Sequence, residues 1–220
     1  MKKLLLLAAV LMLSIAMNAQ EDVTKFLGIP VDGTKSEMIN KLLDKGFTRT
    51  EYDREVLEGE FNGMNVNISI QTNNNKVWRI VVIDQARVDE TTIKINYNNL
   101  CDQFANNPNY YLSIPVEELY IPDDEDISYE MLVNNKSYQP IFFQTNFETV
   151  MEKTNNILLS KYTLEQLANP TEEINKEIGK LGLELFMKKA VWFTIMQLYG
   201  KYNLCIYYEN GYNKADGSDL

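Results

Sequence analysis

The sequence predicts an α+β fold, an antiparallel β-sheet with helices packed on one face. Three observations lead there. Met64-Asn65-Val66-Asn67-Ile68-Ser69-Ile70 alternates apolar with polar residues, the two-residue period of a strand with one buried face. Asn62-Gly63 directly before it is a hairpin turn pair. Both halves of the chain then run in one order, an amphipathic helical stretch followed by strands.

In chain order, Lys2 and Lys3, the apolar run Leu4 to Ile15 and the small residue Ala19 have the zones of a secretory signal peptide. The apolar run is shorter than the roughly 20 residues of a membrane-spanning helix. No cysteine lies near Ala19, and no second long apolar run follows. The expectation is an exported protein, periplasmic or secreted, cleaved near Ala19, with no transmembrane segment in the mature chain.

Residues 25–33 read as an extended lead-in with a turn. Thr34 with Glu37 three residues on forms a capping box, and Met38, Ile39, Leu42 and Leu43 share one helical face, so residues 35–45 form a helix ended by Gly46. Residues 56–61, 64–70 and 77–83 then form an antiparallel meander. Ile93, Tyr97, Leu100, Cys101 and Phe104 have helical spacing across residues 90–105, and Pro108 follows the end of that helix.

Residues 109–126 read as a loop, and 127–133 with 138–145 as a strand pair turned at Asn134-Asn135-Lys136. Two amphipathic helices follow within 147–186, the second opened by Asn169-Pro170-Thr171-Glu172, which sets out cap, N1 proline and acidic residue in order. Residues 190–199 and 202–208 are the last two strands, around Gly200-Lys201.

The repeated order suggests tandem units. Residues 20–88 form the first, and 89–209 the second, with 147–186 as a helical insertion and 210–220 as a loose tail. Val77-Trp78 and Val191-Trp192 stand at matching places in this reading. The order resembles the small α/β unit of the SmpA and beta-lactamase-inhibitor-protein group of exported bacterial proteins, in which a helical segment packs on an antiparallel sheet. The inhibitors of that group carry the unit twice. This resemblance spans residues 26–208 as architecture and implies no site residue. Phe26-Leu27-Gly28-Ile29-Pro30-Val31-Asp32-Gly33-Thr34 and residues 212–220 resemble uncharacterised exported bacterial proteins, which implies nothing about activity.

Composition narrows function. The formal charge of −10 disfavours nucleic acid, whose phosphates it repels. The chain has no histidine, which removes His-based triads, most zinc sites and imidazole acid–base work. No Walker loop or dinucleotide fingerprint is present, so no cofactor is expected. Cys101 and Cys205 either pair, closing a loop of about 100 residues worth about 4–5 kcal/mol, or stay as buried free thiols.

Four candidate sites emerge. The acidic run Asp123-Asp124-Glu125-Asp126 is a calcium candidate or a solvated loop; it lacks the alternating spacing of a calcium loop. The tail Asn213 to Asp219 holds a fragment of a calcium loop, without its closing Glu. Glu51, Asp53, Glu55, Glu58 and Glu60 offer carboxylates of the kind glycosidases use in pairs, or a wet strand face. Tyr199, Tyr202, Tyr207 and Tyr208 offer a binding surface for a protein or a sugar, or else buried rings that pack the sheet, with Tyr202 and Tyr208 on one face of the last strand and Tyr207 on the other.

With no catalytic set visible, the leading expectation is a non-catalytic binding module for an envelope or extracellular protein. A carboxylate-dependent hydrolase and a glycan-binding protein are the alternatives.

Overall fold

A computed structural model describes residues 23–217; the expected signal segment lies outside the described residues. Nine strands and six α-helices, with one 3-10 turn at Val116–Leu119, make up those residues. The strands are β1 (Lys25–Phe26), β2 (Ile29–Pro30), β3 (Thr48–Arg49), β4 (Leu57–Phe61), β5 (Met64–Asn73), β6 (Lys76–Asp84), β7 (Ile141–Phe143), β8 (Ala190–Leu198) and β9 (Lys201–Glu209). The helices are α1 (Lys35–Asp44), α2 (Glu90–Ala105), α3 (Ile127–Leu132), α4 (Phe147–Leu158), α5 (Leu164–Ala168) and α6 (Glu172–Met187).

β1 and β2 form a minimal hairpin, and the other strands form one antiparallel sheet in the order β3-β4-β5-β6-β9-β8-β7. The α+β fold read from the sequence is therefore observed. None of the described helices is long and apolar enough to cross a membrane.

One sheet face carries the core. Val66, Ile68 and Ile70 of β5, Ile80 and Val82 of β6, Val191, Phe193 and Ile195 of β8, and Leu204 and Ile206 of β9 are all buried there. α1 covers β5 and β6 with Met38, Ile39 and Leu42, and α2 covers β9. α1 starts as its sequence dictates: Thr34 and Glu37 cap each other's backbone reciprocally, so two amide donors at the helix start find partners. Phe104 of α2 clusters with Phe142 and Phe193, near parallel to both, with ring centroids 4.8 and 5.7 Å away. α4 and α6 pack mainly on each other, and Phe186 anchors them to the body against Tyr111 and Phe143.

Several expectations need correction. Residues 127–132 are helix, because the Asp126 side chain accepts a hydrogen bond from the Tyr129 amide and caps the segment; the expected strand 138–145 shrinks to β7. β7 lies beside β8, so 141–143 joins the sheet without pairing to 127–133. The two tryptophans are not at matching places. The central pair is β6 and β9, so any repeat that superposes the two halves of the strand order sets β6 against β9, whereas Trp192 lies on β8.

The start of the tail is not loose. Asn210 is fully buried; its amide NH2 donates to the Val31 carbonyl at 2.8 Å, and its Oδ1 accepts from the Tyr212 N–H at 3.0 Å. Asn213 donates to Asp32 Oδ1 and to the Val77 carbonyl, both at 2.8 Å. Thr24, also fully buried, donates to the Glu209 carbonyl. The lead-in and the tail are thus sewn together over β6. Replacing Asn210 by Ala leaves buried backbone groups unpaired. The expected loss is about 1–3 kcal/mol of stability, read as a lower urea midpoint; an unchanged midpoint would show that the seam is not a structural joint.

Candidate functional site

The second face of the sheet is not covered by α1 or α2, and its centre holds the candidate site. Arg79, Val81 and Ile83 of β6 lie opposite Glu209, Tyr207 and Cys205 of β9. Trp192 of β8 pairs with Tyr207 from the other side. This register brings together residues that are far apart in the chain. A bulge makes it possible: Gln71 pairs with Arg79 but Thr72 with Val77, so β6 has one extra residue, Trp78. In a regular strand Val77 and Arg79 would share a face. Here Val77 is fully buried in the core, while Arg79 is on the open face.

The rings of Trp192 and Tyr207 are stacked at 4.0 Å between centroids, 15° from parallel. The Arg79 guanidinium lies 4.1 Å from the centre of the Trp78 ring, 5.1 Å from Tyr207 and 5.7 Å from Trp192, within cation–π range of all three. Glu209 fixes the arrangement. Its side chain is only 4% exposed; it pairs with Arg79 and accepts a hydrogen bond from Trp192 Nε1 at 2.8 Å. Lys214, half exposed, has its ammonium 3.8 Å from the same carboxylate and 5.9 Å from the Trp78 ring. Arg79 Nε is buried and has no hydrogen-bond partner among the described residues. Trp78, Trp192 and Tyr207 remain partly exposed. The result is a rigid aromatic platform with a cation held among its rings.

The platform continues along β8 through Thr194, Met196 and Leu198 to Tyr199 at the β8–β9 turn; Met196, Leu198 and Tyr199 are all exposed. Tyr199 and Gly200 both have positive φ, 52° and 70°. The equivalent turns are Asn62-Gly63 and Asn74-Asn75, pairs suited to this left-handed backbone. A tyrosine there is strained, and it is almost fully exposed, at 94%.

The predicted tyrosine surface is thus broken up. Tyr207 is in the platform and Tyr199 at its tip, but Tyr202 and Tyr208 are buried in the core, where Tyr208 packs against Phe26 at 4.8 Å. Alternation along β9 placed Tyr207 correctly. It had no means of finding Trp78, Arg79, Trp192 and Glu209, which depend on cross-strand register and a bulge.

Cys101 and Cys205 do not pair. Both are free and buried; Cys101 belongs to α2 on the core face, while Cys205 faces the other way, so the sheet separates them. Burial pushes the Cys101 thiol up to about 12 and raises Cys205 as well, which keeps both protonated and unreactive at neutral pH.

Two of the five candidate carboxylates, Asp53 and Glu55, and the acidic run have structural tasks. Glu55 pairs with Lys35, and Asp53 turns its own loop. Lys94, largely buried, donates to the carbonyls of Asp123 and Glu125 at 2.6 and 3.0 Å. Asp126 caps α3, and the Glu125 side chain accepts from Lys136 and Tyr138. Among the described residues no group of three or more acidic or cysteine side chains is arranged to hold a metal ion.

Two predictions follow from these placements. Replacing Tyr199 by Asn relieves the turn at an exposed site, with an expected gain of about 0.5–1 kcal/mol in chemical denaturation; a loss would mean that the ring makes contacts of its own. The second concerns Glu125. Burial acts to raise its pKa, but the bonds from Lys136 and Tyr138 prevail and hold it below the ordinary value. Such a carboxyl adds stability above its unfolded value of about 4.3, and this is lost as pH falls through the lower folded value. Lys136→Met is therefore expected to lower stability near pH 7 and to move acid unfolding to higher pH; an acid transition that does not move would refute the assignment.

No protein family, curated protein or solved structure matches this chain.

Proposed function

We propose that this chain is an exported, non-catalytic binding protein that holds a folded protein partner against the open face of its sheet. The observation that carries the reading is the platform of Trp78, Arg79, Trp192 and Tyr207 around the buried Glu209. Trp, Tyr and Arg are the residues that most often dominate binding energy at protein interfaces. They lie side by side on strands that α1 and α2 leave uncovered, a continuous surface that a folded protein can meet. Met196 and Leu198 extend the apolar area along β8. The chain's charge of −10 favours a partner of net positive charge, whose approach it steers.

The test begins with affinity capture from the native envelope and secreted fraction, using the protein and its Trp78→Ala and Tyr207→Ala variants, each checked for an intact fold by circular dichroism. The expected result is a basic protein recovered by the wild type. Titration of that purified protein should then show each variant binding about thirtyfold more weakly, the loss of about 2 kcal/mol that defines a dominant contact. Its association rate should also fall as salt is raised. A partner held equally by all three proteins would place the interface elsewhere and refute the reading, as would recovery of no specific partner.

A further inference from the structure

A second surface lies apart from the platform, where the β1–β2 hairpin, the β4–β5 turn and the C-terminal end of α2 meet. They enclose an open cleft of about 720 Å³, within the range of small-ligand sites. Its apolar lining comes from Phe61, Leu100, Phe104, Tyr110 and Tyr208. The rings are held by one another: Phe104 meets Tyr110 edge-on at 4.8 Å, and Phe61 lies edge-on to Tyr208 at 6.4 Å.

Four primary amides, Asn62, Gln103, Asn107 and Asn109, line the cleft; Asn62, Gln103 and Asn109 are exposed and Asn107 is half-buried. Asn62 donates to Gln103 Oε1 at 2.7 Å, which ties the β4–β5 turn to α2 across the cleft. This leaves the Asn62 carbonyl and the Gln103 NH2 without a protein partner among the described residues. Gln144 acts differently. It accepts from the Lys25 N–H at 2.6 Å and donates to the Lys25 carbonyl at 2.8 Å and to Tyr110 at 3.2 Å, fixing the β1 wall as a neighbouring strand would.

This combination specifies a ligand chemistry. Each amide offers both a donor and an acceptor, which matches hydroxyl groups that both give and receive hydrogen bonds. Phe61 and Tyr110, the two partly exposed rings of the lining, match the C–H surface of a pyranose, while Leu100, Phe104 and Tyr208 lie buried behind them. The charged groups at the cleft are of both signs, Lys25, Lys189 and Glu60, and the chain as a whole is acidic, so an anionic ligand is not favoured. Glu60 is the one carboxylate residue among those lining it, which does not supply the carboxylate pair of a glycosidase. We infer that this cleft binds a short, uncharged oligosaccharide without cleaving it. The site is separate from the proposed protein-binding face and does not depend on it.

Isothermal titration with cellotriose, maltotriose and chitotriose, and with trigalacturonate as the acidic counterpart, tests the inference. Saturable binding of at least one neutral trisaccharide is expected, stronger than that of the acidic one, with the sugar recovered intact. Gln103→Ala and Asn109→Ala change exposed side chains and should each weaken binding about tenfold; Asn109→Ala should leave the thermal midpoint unaltered and Gln103→Ala, which also loses the Asn62 bond, should lower it only slightly, while Trp78→Ala should bind sugar as the wild type does. Failure of all the neutral sugars to bind, preference for trigalacturonate, hydrolysis of the bound sugar, or binding indifferent to Gln103 and Asn109 would each overturn it. Sugar binding lost in Trp78→Ala and kept in Gln103→Ala would overturn the cleft assignment too.

Discussion

The antiparallel pairing of β6 with β9, Arg79–Ile83 against Cys205–Glu209, is the constraint on which the rest of the molecule depends. Among the described residues it is the one strand pairing that joins the β3–β6 meander to the β7–β9 strands. Without it each half would be a small sheet with a long apolar edge, the arrangement most exposed to wrong association. The pairing closes a long stretch of chain, and such loops must lose their entropy before the contact rewards them. The Val88–Tyr202 bridge and the seam of Thr24, Asn210 and Asn213 lie close to it and hold the same two halves together at other points.

The same pairing decides what each sheet face contains. Strand alternation sends Ile80, Val82, Ile206 and Tyr208 to one side, where α1 and α2 complete the core. It sends Arg79, Val81, Cys205, Tyr207 and Glu209 to the other. A carboxylate as buried as Glu209 is costly unless its charge is answered. Arg79 from β6 and Trp192 from β8 answer it, one from each neighbouring strand of β9. A one-residue slip between β6 and β9 would put Arg79 and Glu209 on opposite faces. The cluster thus helps to specify the register that creates it.

Much of the fold is legible in the sequence because its signals are local. The Thr34–Glu37 capping box, the alternation over 64–70 and the turn pair Asn62-Gly63 each settle their own structure within a few residues. The helix at 127–132 is less legible, because Asp126 sits in an acidic run that hides its capping role, and Asn134-Asn135-Lys136 has the composition of a hairpin turn. The site is less legible than the fold. Tyr207's side of the sheet follows from a two-residue period, but its neighbours come from β6, β8 and the tail. The bulge at Trp78 reverses the parity that alternation would assign to Val77 or Arg79. The separation of Cys101 from Cys205 is also a matter of faces: one is on a helix above the sheet, the other beneath it.

The energetics of the open face bear on what it is for. Exposed aromatic rings gain little for a folded chain, and an ion pair as buried as Arg79–Glu209 is weak evidence of stabilisation, since removing both charges from water offsets most of their attraction. What the arrangement does supply is rigidity. Arg79 is held by a carboxylate and surrounded by three rings, and Trp192 is held by both Tyr207 and Glu209. An interface residue that is already fixed in the free protein loses little further freedom on binding, where an unrestrained one loses about 0.5–1.5 kcal/mol. The strained turn at Tyr199 follows the same logic, since it keeps a large ring at the tip of β8 at a cost in backbone energy that an asparagine would avoid. A surface that gives up stability at several points to hold aromatic groups still is what the proposed recognition role requires.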